Sequence, residues 1–136
     1  MIFLDSNIII DLIEATSRWS AWARHSVARV AATMPCVTNA VVMAETASHF
    51  DDVATQLDYF ADVRLGLRDI GPAAAYRAGR AHRAYRRAGG DRSAILPDFL
   101  IGGHAVDLGA TLVTRDRQRF ASYFPDLTLI TPETHP

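Results

Sequence analysis

Four acidic residues lie far apart in this chain but share one local context. Asp5 ends the apolar run MIFLD, and Asp116 follows TLVTR. Glu45 closes NAVVMAE, and Asp98 stands in AILPDFLIGG. Each sits at the end of an apolar strand, or at the start or inside of a helix. If one fold gathers them, they form an oxygen-rich pocket suited to Mg²⁺ or Mn²⁺, which prefer one or two carboxylates plus water and phosphate oxygens. Such a pocket can promote hydrolysis of a phosphodiester without a histidine, cysteine or lysine nucleophile.

Short polar side chains flank the acids. Ser6, Asn7 and Thr114 are placed to hydrogen-bond the carboxylates and fix their orientation. Ser6 and Asn7 also suit the start of a helix, where they would serve as plain caps.

The elements that must carry these residues are legible in outline. MIFLD reads as a buried strand, and a helix follows from Ser6 through IIIDLIEA. A second helix spans Trp19 to Ala32 and stops at Pro35. CVTN is the second strand, and Asn39 caps a helix running from Ala40 to about Phe50. Asp52 to Val63 forms another helix, and Leu65 to Ile70 a weak third strand. Ala73 to Ala88 is a strong helix, and residues 89–93 (GGDRS) are a turn. A helix opened by Pro97 and Asp98 runs to about Leu108, where Gly109 ends it. ATLVT and LTLI supply the last two strands, with a short helix through Tyr123 between them.

Strands alternating with helices predict a parallel sheet covered on both faces. Ligands in such sheets bind beyond the carboxyl ends of the strands, where strand order reverses. Asp5 and Asp116 fall on that edge. Glu45 lies about two helical turns beyond strand two, and Asp98 opens a helix able to point at the same crevice.

Composition narrows the function. The chain has 136 residues, 49% hydrophobic and 21% charged, which fits one globular domain over 1–136. The net charge of -1 gives no global basic field. All 14 basic residues are arginine, so chemistry that needs a lysine amine is excluded. Cys36 is the one cysteine, which excludes an intrachain disulfide and reads as a buried small hydrophobe. No segment reaches the length of a membrane span, and Asp5 and Asp11 interrupt the apolar N-terminal run. A cytoplasmic protein is expected.

Arginine is concentrated locally. Arg77, Arg80, Arg83 and Arg87 recur at three- and four-residue steps on one helix, with Arg86 and Arg92 nearby. Arg115, Arg117 and Arg119 flank Asp116. Either group can serve an RNA backbone, and a solvated helix face is the alternative for the stripe. Trp19 and Trp22 share a helix face that reads as core or as an apolar groove. His104 and Asp107 have metal-ligand spacing but lie two or three turns beyond Asp98, which favours a core or surface role.

The ordered set MIFLDSN, NAVVMAE, LPDFLIGGHA and LVTRD resembles the PIN-domain family, and within it the VapC-type toxins of bacterial toxin–antitoxin pairs. The resemblance covers essentially the whole chain. It implies a three-layer α/β/α sandwich with a parallel five-stranded sheet. It also implies a Mg²⁺- or Mn²⁺-dependent endoribonuclease leaving a 5′-phosphate and a 3′-hydroxyl. Asp5, Glu45, Asp98 and Asp116 match the family's acidic set, with Asp5, Asp98 and Asp116 holding metal. The implied partners are an RNA substrate, a small antitoxin and a second copy of the chain, with no membrane. Many relatives carry a further acid just before the aromatic after the last motif; here Arg119 precedes Phe120. The competing reading is a non-catalytic PIN-like module acting with a DNA-binding partner, as in a FitB-like complex. Receiver and haloacid-dehalogenase folds are excluded by the missing lysine and by Asn7 at the place of a second Asp.

Overall fold

Ile2, Phe3 and Leu4 are all inaccessible to solvent. Successive strand residues point to opposite faces, so a strand buried at every position must be covered on both sides. This strand, β1 (Ile2–Leu4), is the centre of a five-stranded sheet. The computed structural model describes residues 1–90 and 96–136. The turn expected over 89–93 therefore falls partly outside the described residues, as does Arg92.

The chain continues through α1 (Ser6–Ile13), α2 (Ser20–Ala31), β2 (Cys36–Thr38) and α3 (Ala40–Thr46). A 3-10 turn at Ala47–His49 leads to α4 (Val53–Asp62), β3 (Leu65–Leu67) and α5 (Pro72–Arg87). The last elements are α6 (Leu96–Asp107), β4 (Thr111–Val113), α7 (Arg117–Tyr123) and β5 (Leu129–Ile130). Every strand pairing is parallel, in the order β3-β2-β1-β4-β5. Helices flank the sheet, giving the expected α/β/α architecture. The chain winds outward from β1 to β3 and then returns to place β4 on the other side of β1. The reversal thus falls between β1 and β4, the two strands that precede Asp5 and Asp116.

The first helix ends at Ile13 rather than Ala15, and two further boundaries differ from expectation. The helix after Asn39 is α-helical only to Thr46, where the Thr46 hydroxyl turns back onto the carbonyls of Val42 and Met43. The third strand stops at Leu67 rather than Ile70. It lies at the sheet edge, with Leu65 buried but Gly66 and Leu67 exposed.

Helix α6 ends as its sequence requires. Gly109 adopts φ 62°, Ala110 N–H reaches the Ala105 carbonyl at 2.9 Å, and Gly109 N–H reaches that of Val106 at 3.0 Å. A left-handed residue at this position closes a Schellman turn. Gly103 lets α6 lie directly on α5. A Cβ there would stand 2.9 Å from the Ala78 backbone nitrogen.

Buried polar side chains help to lock this framework. Asn39 Oδ1 accepts from the N–H groups of Val41 and Val42, capping α3. Its amide nitrogen is then the donor to His104 Nδ1 at 3.1 Å. His104 is buried, packs edge-on to Phe3, and has its pKa lowered by that burial. The imidazole is therefore a neutral acceptor locking α6 to the start of α3, which settles it as core. Asp107 instead meets Arg77 at 3.5 Å. Cys36 is buried, as expected. Trp22 packs against the core and donates its indole N–H to the His135 carbonyl at 2.7 Å. Trp19 carries the Arg18 guanidinium over its ring at 4.6 Å.

Candidate active site

The site is assembled at the point where strand order reverses. Asp5 is the first residue beyond β1 and the N-cap of α1, so its position is fixed by two elements at once. Its Oδ1 accepts the Ser6 N–H at 2.7 Å. Its Oδ2 accepts the Thr114 hydroxyl at 2.6 Å and the Asn7 side-chain amide at 2.9 Å. Thr114 is the residue after β4, so this carboxylate ties the two central strands together. The same Thr114 Oγ1 accepts the Asp116 N–H at 3.0 Å, and Asn7 Oδ1 accepts the Arg115 N–H at 3.2 Å. Asn7 and Thr114 thus hold Asp5 and the loop that carries Asp116 in one network.

Ser6 acts on another acid. Its hydroxyl donates to Glu45 Oε1 at 2.6 Å, orienting a carboxylate that α3 brings in from the next strand's crossover. Asp98 lies in the first turn of α6 and is largely buried. Asp116 caps α7 through the Arg119 N–H at 3.2 Å.

Electrostatics links the four acids. Burial pushes Asp5 up to about 6, against the lowering pull of Thr114 and Ser6, and the charges of Asp98 and Glu45 add to the rise. Burial also raises Asp98; Arg119 opposes that rise, while Glu45 and Asp116 reinforce it. Asp98 thus lies within electrostatic reach of the other three acids, with Asp5 and Asp98 buried, Asp116 half-buried and Glu45 exposed.

Arg119 answers that charge. Arg119 Nη1 stands 3.0 Å from Asp98 Oδ2, and its Nε stands 3.1 Å from Asp116 Oδ2. Partial burial works against the guanidinium charge, but the Asp98 and Asp116 carboxylates outweigh it and raise its pKa. The structure brings the four acids together, yet the three expected to bind metal are engaged by protein donors as they stand. Among the described residues, no three His, Cys, Asp or Glu side chains are posed as a ready ligand set. The donor chemistry nevertheless fits a hard divalent cation: carboxylate oxygens, with the charges of Asp5 and Asp98 raised in energy by burial.

Sequence reasoning missed Asp11. It is 1% exposed, and its Oδ2 faces Arg115 Nε at 2.9 Å while its Oδ1 accepts the Ser17 hydroxyl at 2.7 Å. Among the described residues, these two charged atoms have no other partner. The pair anchors α1 to the loop bearing Asp116 from below. An acid on the apolar stripe of IIIDLI was the available signal, since a buried carboxylate demands a partner. Arg115 therefore spends its side chain on the scaffold, whereas Arg117 and Arg119 are exposed.

The stripe on α5 is also exposed. Arg80, Arg83 and Arg87 line a cavity of about 560 Å³, and Arg83, Arg86 and Arg87 border another of about 610 Å³ with His82. His82 meets Phe99, the neighbour of Asp98, with ring centroids 4.8 Å apart. His82 thus ties the arginine-bearing helix to buried Phe99 of α6.

Residues 2–123 match the sequence model of the PIN domain. The chain belongs to the PIN-domain family. Solved structures of similar fold include VapBC2 from Rickettsia felis bound to a promoter DNA fragment. That likeness has 24% identity, a TM-score of 0.76, and coverage of 96% of this chain and 98% of the other. FitAcB from Neisseria gonorrhoeae is similar at 16% identity and a TM-score of 0.68, covering 98% and 99%. So is VapC20 from Mycobacterium tuberculosis, described as a sarcin–ricin-loop-cleaving toxin, at 15% identity and 0.68, covering 97% and 100%. None of the curated protein sequences matches at a significant level. Among the described residues, no helix is long and apolar enough to cross a membrane.

Proposed function

We propose that this protein is a divalent-metal-dependent endoribonuclease, the toxin of a pair whose other member is a small antitoxin. The observation that carries this reading is the convergence of Asp5, Glu45, Asp98 and Asp116 at the strand-order reversal of a PIN domain. Similar folds solved as toxin–antitoxin complexes, and one described as a sarcin–ricin-loop-cleaving toxin, support the assignment of partner and substrate class.

Asp5, Asp98 and Asp116 would hold Mg²⁺ or Mn²⁺. A bound ion supplies water activation and balances charge on the phosphate under attack. The protein's own groups do the rest. Thr114 and Asn7 keep the Asp5 carboxylate aimed and favour its ionised form. Glu45, held by Ser6, orients the attacking water and accepts its proton. Water oxygen bonds to phosphorus, the bond to the 3′-oxygen breaks, and the products carry a 5′-phosphate and a 3′-hydroxyl. The exposed arginines of α5, with Arg117, take the flanking phosphates. Two copies of the chain pair in the assembly.

The test incubates purified protein with structured RNA in Mg²⁺ or Mn²⁺ and reads the end groups. Metal-dependent cleavage with 5′-phosphate ends supports the reading. An inert protein that still binds promoter DNA with its antitoxin would favour the non-catalytic alternative.

A further inference from the structure

Arg119 is tied to two separate carboxylates of the acidic site at once. Its Nη1 pairs with Asp98 Oδ2 at 3.0 Å and its Nε with Asp116 Oδ2 at 3.1 Å. The second tie is local, since both residues belong to the start of α7 and the Asp116 carboxylate also caps that helix by accepting the Arg119 N–H. The first reaches across to α6, 21 positions away in sequence. The guanidinium bridges acids carried by α6 and by the start of α7, and so covers oxygens on two of the three acids assigned to the ion.

From this geometry we infer that Arg119 is a tethered cation that competes with the divalent ion for Asp98 and Asp116, and so sets the ion affinity of the site. The inference rests on the metal-site reading above and deepens it. In the metal-free protein the guanidinium balances the acids and holds α6 and α7 in register. Metal entry requires Arg119 to swing away from at least Asp98. Its side chain is 47% exposed, so room for that swing exists on the solvent side. The fork geometry of arginine matches two carboxylate oxygens better than an ammonium point charge does. The tie is nevertheless modest, because exposed ion pairs are weak. Displacement is therefore feasible at millimolar ion, and affinity is tuned rather than abolished.

The experiment is a Mn²⁺ titration followed by electron paramagnetic resonance, with no RNA present. It compares the wild type with Arg119→Gln, Arg119→Lys and Asp98→Asn. Arg119→Gln should bind Mn²⁺ on the order of tenfold more tightly, since a competing charge and up to two exposed pairs are removed. Arg119→Lys keeps the charge and should remain within a few-fold of the wild type. Asp98→Asn should bind more weakly than the wild type. Thermal melting without metal checks folding of each variant. Unchanged or weaker binding by folded Arg119→Gln, with clear binding by the wild type, overturns the competition while leaving the metal site standing. No Mn²⁺ binding by either the wild type or Arg119→Gln overturns the metal site and the competition together.

Discussion

The Thr114 hydroxyl lies 2.6 Å from Asp5 Oδ2, joining residues 109 positions apart across the two central strands. The same oxygen of Thr114 accepts the Asp116 N–H, so one side chain orients two acids. Thr114→Val keeps the shape and removes both bonds. Groups that orient metal ligands typically change affinity or activity by tenfold to a hundredfold. We expect RNA cleavage to fall by roughly that factor, with Mn²⁺ affinity falling in parallel. Equal activity in Thr114→Val would mean that Asp5 is held well enough by Ser6 and Asn7 alone.

Asp5 makes stability depend on pH. Its folded pKa is raised from 3.8 to about 6 by burial, so between those values the folded state binds more protons than the unfolded state. Stability from this group is therefore present at low pH and declines as pH rises through about 6. The full effect is about 3 kcal/mol, an upper limit reached at neutral pH without metal. His104 works in the opposite sense. Its folded pKa lies below 6.5, so acid below that value favours the unfolded state. Asp5→Asn isolates the first effect. In chelator, its stability relative to the wild type should rise between pH 4 and 7, measured by urea unfolding. A difference that stays flat across this window would contradict the burial argument.

Asp11 and Arg115 should behave as a scaffold pair. Removing one partner of a buried pair leaves an uncompensated charge, and Asp11→Ala should destabilise by about 2–4 kcal/mol, discounted for the one-third exposure of Arg115. A double-mutant cycle with Arg115→Met should show strong coupling. If Arg115 instead served RNA directly, its substitution would reduce the salt dependence of RNA binding without loss of stability.

Gly103 offers a test of the α5–α6 contact. Alanine normally favours a helix over glycine by about 1 kcal/mol. Here its methyl would stand 2.9 Å from backbone nitrogen of Ala78, which cannot rotate away. Overpacking of this kind outweighs the propensity gain, at about 1–3 kcal/mol. Gly103→Ala should lower the melting temperature; a rise would show that the helices can separate freely.

Much of this was legible from residue order. The strands and the parallel sheet followed from apolar runs alternating with helices, and the flanking polar residues pointed to Ser6, Asn7 and Thr114. Depth was harder. The α5 stripe reads identically whether solvated or bound to phosphate, because both leave arginine exposed. The pairing of Arg115 with Asp11 was hidden because a basic residue next to an acidic motif looks like a substrate contact. Only the third dimension shows its guanidinium turned inward to α1. Arg119 was visible as a departure from the family pattern, but its bridge to Asp98 depends on how α6 and α7 approach each other. The 3-10 turn after Thr46 accompanies a hydroxyl bonding back to its own helix, a detail that periodicity does not encode.

The central claim is that the gathered acids cut RNA with a divalent ion. Its most direct test measures cleavage of structured RNA by the wild type, Asp5→Asn and Asp98→Asn in Mg²⁺ or Mn²⁺, with thermal melting confirming each fold. Wild-type cleavage should stop with chelator, and both variants should lose activity by at least about a hundredfold. Full activity in both folded variants would rule out these acids as the cleavage site.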